Sequence, residues 1–394
     1  MSIKRFKHIV IAIYTHPELY PPTVAAIMQL AEISDKVDVV TRNMLVSKWD
    51  YPENVNINYV NKEQFTGFEI EKIGFRAKIA HFYNFVKTIK SLVLTRNSDV
   101  LLVNDAIPLF ASYLIRNTLR KKKVIWWYHN HDVVDMKRTG TLSIMGMAAR
   151  FEKRSFQFLD VFSLPAKERL QYFPKLKSNQ EPVILPNYPL EDFYSKAENQ
   201  KQNEDSTIKL VFQGSIGSGH GLEEIIGVLH HAINGKKVEL HLVGKVRESY
   251  LKSIEALVEK HYVHDHFTYH GMKSFAELPF YLSQFDIGLA IHKPYNVTYS
   301  TGGTASNKIY EYAASGMPII LFDNAHYRAY LEDFEWTFFT DLTKDSLLHV
   351  MAVIDREISK FSKGASKDFH ERFNFETVFQ EQMLPVLVQL KRIK

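Results

Sequence analysis

Short β-branched apolar runs alternate with longer helical stretches along most of the chain. In the first half the runs are Ile9-Val10-Ile11-Ala12-Ile13, Val37-Asp38-Val39-Val40, Val100-Leu101-Leu102-Val103, Val124-Ile125-Trp126-Trp127 and Val183-Ile184-Leu185. Continuous apolar runs separated by helices belong to strands covered on both faces, which predicts a parallel, doubly wound sheet. From Glu191 to Thr207 the composition turns polar with no apolar period, and a linker is expected there. The alternation restarts at Ile208-Lys209-Leu210-Val211-Phe212 and continues at Val238 to Val243, Phe285 to Leu289 and Pro318 to Phe322. Phe369, Phe373, Phe375, Phe379 and Leu384 then follow helical spacing. The expected chain is therefore α/β: a Rossmann-like domain over 1–190, a linker over 191–207, a second Rossmann-like domain over 208–368, and a helix over 369–394 packing back toward the first domain. Ligands of open parallel sheets bind beyond the carboxyl ends of the strands, so a cleft between two such domains is the expected site.

Composition supports two domains and removes several chemistries. A chain of 394 residues exceeds what one core usually organises, since cores stop growing near ~250–300 residues. The absence of cysteine excludes disulfides, thiolate metal sites and a Cys nucleophile. No run approaches the ~18 apolar residues a membrane helix needs, and the basic start Met1-Ser2-Ile3-Lys4-Arg5 leads into a run too short for a signal segment, so a cytoplasmic enzyme is expected. The net charge of +5 is modest, and its placement says more. Arg116, Arg120, Lys121, Lys122 and Lys123 cluster, and the helix predicted over Phe75 to Arg96 carries Arg76, Lys78, Lys87 and Lys90 among aromatics. Such a face serves either as ordinary solvated surface or as a rest on anionic lipid, the latter placing the protein at the inner face of the cell membrane. Scattered basic residues without a recognition motif argue against nucleic acid.

Two loops carry the candidate chemistry. After the strand ending at Gln213 comes Gly214-Ser215-Ile216-Gly217-Ser218-Gly219-His220-Gly221, then the helical run Leu222 to Ile226. Its glycines leave backbone amides open to a phosphate at a helix start. Neither G-x-G-x-x-G nor a complete G-x-x-x-x-G-K-[S/T] can be drawn through it, which weakens dinucleotide and NTPase readings. The second loop, Ser300-Thr301-Gly302-Gly303-Thr304-Ala305-Ser306-Asn307-Lys308, precedes the helix Ile309 to Ala314, with Ser306 or Asn307 able to cap it. Lys308 and Glu311, three apart, share one side of that helix, so a cation and a carboxylate can reach one ligand.

The segment Ser306-Asn307-Lys308-Ile309-Tyr310-Glu311-Tyr312-Ala313-Ala314-Ser315-Gly316-Met317-Pro318-Ile319-Ile320 resembles the donor-binding segment of GT-B fold glycosyltransferases, especially the retaining family 4. Leu185-Pro186-Asn187, Gly214-Ser215-Ile216 with Gly221-Leu222, Leu242-Val243-Gly244, His270-Gly271 and Phe285 to Leu289 extend the likeness. The resemblance implies a GT-B architecture of two Rossmann-like domains. It places Glu311 on the donor ribose; Gly214, Ser215, Gly219, His220, Ser306, Asn307 and Lys308 on the diphosphate; and Gly244, Lys245 and Gly271 beside the nucleobase. Gly302, Gly303 and Thr304 fall at the donor sugar. His129 matches the histidine such enzymes point at the transferred sugar, with His131 and Asp132 competing for a catalytic role. Three positions depart from the family pattern. Gly303 stands where a second glutamate is common, Ser215 and His220 replace the usual Arg and Lys, and Thr15 to Thr23 replaces the glycine-rich acceptor loop.

Glycosyl transfer builds charge on a leaving diphosphate, which the enzyme must neutralise. No Asp-x-Asp occurs in the chain, so a reaction without metal or other cofactor is expected, and His261, His264, Asp265 and His266 read as a solvated turn. The expected reaction moves a sugar from a UDP- or GDP-linked donor to a glycan or lipid-linked acceptor with retention of configuration, in cell-surface polysaccharide or glycoconjugate synthesis. A GT-B fold sugar-nucleotide epimerase and a non-catalytic sugar-nucleotide-binding protein are the alternatives.

Overall fold

The structure is a computed structural model that describes residues 5–65, 72–133, 143–177, 180–195 and 206–394. The chain divides into two units, one of residues 1–186 with 376–394 and one of residues 187–375. Most of the expected linker, residues 196–205, lies outside the described residues. Its start, Glu191–Tyr194, forms a helical turn whose Tyr194 is buried in the second unit's core.

The first unit holds seven parallel strands: β1 (Phe6–Ile13), β2 (Ser34–Thr41), β3 (Val55–Tyr59), β4 (Val100–Asn104), β5 (Ile125–His129), β6 (Val161–Leu164) and β7 (Val183–Ile184). Their order is β3-β2-β1-β4-β5-β6-β7. β4 and β5 are buried throughout, as their unbroken apolar runs require. β3 and β6 are strands the apolar pattern does not mark. β3 (VNINY) is a half-exposed edge strand with asparagines at alternate positions, and β6 spans only four residues. The helix Phe75–Arg96 forms over the expected range. It buries Phe85, Ile89 and Val93 while leaving Phe75, Ile79 and Tyr83 exposed.

The second unit has six parallel strands: β8 (Thr207–Ile216), β9 (Lys237–Val246), β10 (Phe267–Tyr269), β11 (Ile287–Ala290), β12 (Ile319–Phe322) and β13 (Thr337–Thr340). Their order is β10-β9-β8-β11-β12-β13. Both sheets reverse order once, between β1 and β4 and between β8 and β11, which puts a ligand crevice at each reversal. β8 runs past Gln213, pairing Gly214 with Gly244 and Ser215 with Lys245. The first three residues of the glycine-rich loop, Gly214 to Ile216, are thus strand. The loop is followed by a helix of five residues, Leu222–Ile226.

The expected terminal helix is broken. Ile358–Arg372 ends at Phe373, which is buried with Phe369 in the second unit's core. Phe375–Val378, a π-helical turn at Phe379–Met383 and the helix Leu384–Ile393 follow. Together the two doubly wound parallel-sheet units have the GT-B architecture.

Candidate functional site

In the second unit, the helix Asn307–Ala314 begins at the carboxyl end of the sheet; of the two charged residues singled out in it, Glu311 is buried and Lys308 is half-buried. Gln213, at the end of the β8 core segment, fixes the start of this arrangement. Its backbone N–H donates to the Tyr312 hydroxyl at 2.9 Å, and its side-chain Nε2 donates to Glu311 Oε2. Glu311 Oε1 is buried and has no partner among the described residues. Burial pushes the Glu311 carboxyl up to about 7, against the Gln213 hydrogen bond and the Lys308 charge, which lower it. A buried acceptor without a donor is uncommon in folded proteins, and Oε1 is free to accept a hydroxyl from a ligand.

Lys308, one turn earlier, lies over the Phe212 ring at 4.0 Å and contacts His292 Nε2 at 3.0 Å. Burial brings its ammonium down to about 7, while Glu311 opposes the shift. Sequence reasoning missed His292. It is the polar residue that ends the apolar run of β11, Leu289-Ala290-Ile291-His292, and that position just past a strand end is the local signal. The His292 ring stacks on Tyr299 (4.6 Å, 15°) and meets His220 edge-on at 4.3 Å.

The glycine-rich loop closes on His220. The Gly217 N–H donates to His220 Nδ1 at 3.2 Å, and His220 Nε2 is 3.1 Å from the Tyr299 hydroxyl. Gly214 faces Lys308, whose Cε would lie 3.9 Å from a Cβ built there. A Cβ on Gly219 would come within 2.7 Å of Tyr295. At the start of the second helix Ser306 is the N-cap but makes no side-chain cap bond, and Asn307 is the first helical residue with its Oδ1 unpartnered. Neither caps the helix through its side chain, which leaves its first amides uncovered.

Beside the β9 end, the Gly244 N–H donates to the Gly271 carbonyl at 2.9 Å, and the Gly244 carbonyl accepts from the Tyr269 hydroxyl at 3.0 Å. A Cβ on Gly244 would fall 1.9 Å from the Gly214 carbonyl oxygen, whereas one on Gly271 would meet nothing within 4 Å. Gly214, Gly244, Lys245 and Gly271 are therefore neighbours, with Gly244 closed in and Gly271 facing open space. Gly302, Gly303 and Thr304 form a buried helical turn rather than a loop. The Gly303 N–H is taken by His326 Nδ1 at 3.0 Å and its carbonyl by the Tyr310 hydroxyl.

In the first unit, His129 ends β5 with Nδ1 2.8 Å from Ser163 Oγ. Its ring meets His131 edge-on at 4.5 Å, and burial holds it down to about 3, with Arg169 adding to the effect. His131 Nε2 is 2.9 Å from Thr23 Oγ1, and its ring stacks on Tyr20. Asp132 is half-exposed beside Arg169, 3.9 Å from its guanidinium. Asp105 organises this cluster and was not anticipated. It follows β4 with φ +68°, and its Oδ1 accepts the His131 N–H at 2.8 Å. Burial, then Asp132, pushes its carboxyl up to about 8. Asp105 thus ties the ends of β4 and β5 together from a backbone conformation that residues with a side chain rarely adopt.

The histidine-rich turn is accounted for by ordinary contacts. His264 pairs with Glu259 at 2.6 Å and His266 Nδ1 lies 2.7 Å from the Val238 carbonyl. No helix among the described residues is long and apolar enough to cross a membrane.

No family model matches the chain, and no curated protein matches it in sequence. Solved structures share the fold over nearly the whole chain. Sucrose-phosphate synthase from Thermosynechococcus elongatus has a TM-score of 0.70 and 14% identity, covering 98% of this chain and 100% of its own. Anabaena HepE, in complex with UDP and glucose, has a TM-score of 0.62 and 14% identity, covering 95% and 97%. The UDP-GlcNAc 2-epimerase of Neisseria meningitidis, bound to UDP-GlcNAc, has a TM-score of 0.59 and 10% identity, covering 97% and 100%. The fold is therefore that of the GT-B glycosyltransferases and the epimerases built like them.

Proposed function

We propose that the protein is a glycosyltransferase that moves a sugar from a nucleoside-diphosphate donor to a glycan or lipid-linked acceptor. The carrying observation is the pair Lys308 and Glu311, which a single helix turn presents beside the glycine-rich strand end. The orphaned Glu311 Oε1 takes the donor ribose hydroxyls. Lys308, with the uncapped amides of Ser306 to Lys308 and with Gly214, Ser215, Gly219 and His220, takes the diphosphate. The nucleobase lies at Gly244, Lys245 and Gly271. UDP is the first nucleotide to test, because HepE was captured with UDP and glucose.

In the first unit, His129, His131 and Asp132 are the candidates for contact with the reacting groups. The acceptor hydroxyl attacks the sugar's anomeric carbon as the bond to the diphosphate oxygen breaks, with retention of configuration. The absence of any Asp-x-Asp in the sequence supports a reaction that needs no metal. The exposed Phe75, Ile79 and Tyr83, four residues apart, recur on one side of a helix that also carries Arg76, Lys87 and Lys90. Such a face suits contact with anionic lipid and hence a lipid-linked acceptor at the inner membrane face.

The test is a thermal-shift and calorimetric screen of UDP, GDP, ADP, CMP and their sugar conjugates, with and without EDTA, followed by assay of diphosphate release. Selective binding of one diphosphate, unchanged by EDTA, supports the reading. Binding to none overturns it. The likeness to a 2-epimerase favours one second reading, which release of a free 2-epimer without acceptor would establish.

A further inference from the structure

Three basic nitrogens are packed together where the diphosphate is placed. Lys308 Nζ touches His292 Nε2 at 3.0 Å, the His292 and His220 rings are 4.3 Å apart, and all three contact Phe212. The other titratable groups around them are few. Tyr299 stacks on His292 and bonds His220, with Tyr295 behind it. Glu311 lies one turn along and accepts from Gln213. Lys293, next in sequence, is tied to Glu224.

The tautomer of His220 follows from its partners. A backbone N–H can only donate, so His220 Nδ1, which receives the Gly217 N–H, carries no proton and the ring is neutral. Protonating that nitrogen makes it a donor and frees the Gly217 amide. Burial, helped by the Lys308 charge, keeps His220 down to about 3 and His292 well below its usual range. The cluster is thus short of protons, in surroundings that a dianion would reverse, because a nearby negative charge favours the protonated form of each base.

We infer that nucleotide-sugar binding is coupled to proton uptake by the Lys308–His292–His220 cluster, which releases the Gly217 amide to the diphosphate, with His292 as the residue that positions Lys308. The inference rests on the nucleotide-sugar reading above. It gives the two histidines a task that fixed cations would perform without any pH dependence. Affinity then rises as pH falls, by up to about tenfold per pH unit for each proton taken up.

Calorimetry of the full chain with UDP-glucose and with GDP-mannose tests this. A terminal phosphate titrates near pH ~6, but the doubly substituted diphosphate of a nucleotide sugar does not, so the protons counted belong to the protein. Titrations at pH 7.5 in HEPES and in Tris give the number of protons exchanged from the dependence of the heat on buffer ionisation. The expected result is uptake of about half a proton or more, and a Kd that weakens from pH 6.5 to 8.5. His220→Asn and His292→Asn, which can still accept from Gly217 and Lys308, should each reduce the uptake and flatten the pH profile. Binding without proton uptake in the wild type, or unchanged uptake in both variants, overturns the inference and leaves the nucleotide-sugar reading standing. Failure of every nucleotide sugar to bind overturns both.

Discussion

Gly303 gives its backbone N–H to His326 Nδ1 at 3.0 Å, and the same imidazole occupies the space where a side chain on residue 303 would begin. A Cβ there would lie 2.6 Å from Nδ1 and 3.1 Å from the His326 carbonyl oxygen. A glutamate side chain at this position would therefore overpack the turn. Gly303→Glu should lower stability by about 1–3 kcal/mol or more and should not improve donor binding. Gly303→Ala tested alone and combined with His326→Ala gives the check. A double variant more stable than the sum of the two single losses identifies the clash, whereas simple additivity would show that the two positions do not meet.

Glu311→Ala tests the ribose assignment with two independent readouts. Loss of a charged acceptor should weaken nucleotide binding by about 10- to 100-fold, equivalent to about 1.5–3 kcal/mol, with the fold retained. The second readout is pH. The Glu311 carboxyl is raised from 4.5 to about 7 by burial, so its stabilising contribution is present below about 4.5 and lost as pH rises through about 7. The Tm of Glu311→Ala relative to wild type should therefore climb between pH 5 and 8. Unchanged nucleotide affinity would remove Glu311 from the site.

Much of this arrangement was legible in the sequence because its signals are local. The apolar runs of β1, β4 and β5 are continuous, those of β8 and β9 are broken only by single polar residues, and the spacing of Lys308 and Glu311 is a property of one helix turn. What was hidden depends on contacts between distant residues. His292 becomes part of the site only through Lys308 and His220, which the chain brings from 16 residues ahead and from the far side of β9. Asp105 acquires its role from a hydrogen bond to His131, 26 residues away. β3 and β13 lie at sheet edges, where half-exposed positions carry no continuous apolar run. The helical spacing of Phe369 to Leu384 suggested one helix, although Phe373 and Phe375 flank the turn at Asn374, whose side chain donates to the His370 carbonyl.

The neighbouring strand ends allow a contrast between two glycines. Gly244 has φ +142° and a carbonyl oxygen only 1.9 Å from the place of a Cβ, while Gly271 has φ +69° and open space. Gly271→Ala should cost only the left-handed backbone penalty of about 1–2 kcal/mol. Gly244→Ala must also push β8 and β9 apart at the Gly214 pairing, and it should cost more than that and abolish nucleotide binding. Denaturant midpoints of the two variants, with equal m-values, provide the comparison. Equal losses would mean that the Gly214 contact relaxes without strain.

Asp105 joins an unusual backbone to a buried acid, and the two can be separated. Its φ of +68° with ψ 176° lies in a region that costs about 1–3 kcal/mol for a residue with a side chain, and it is held there by bonds to the His129 carbonyl and the His131 N–H. Asp105→Asn keeps the acceptor oxygen and the shape but cannot ionise. The folded wild type raises this carboxyl from 3.8 to about 8, so the group's favourable contribution is complete below about 3.8 and is lost as pH rises through about 8. The Tm of Asp105→Asn relative to wild type should therefore increase from pH 5 to pH 9. Asp105→Gly, which removes both the strain and the oxygen, should show the same trend but loosen the His131 segment, seen as faster amide exchange at His131. If the Asn variant tracks wild type at every pH, the carboxyl is ionised in the folded protein and the cluster around His129 and His131 holds a fixed negative charge instead.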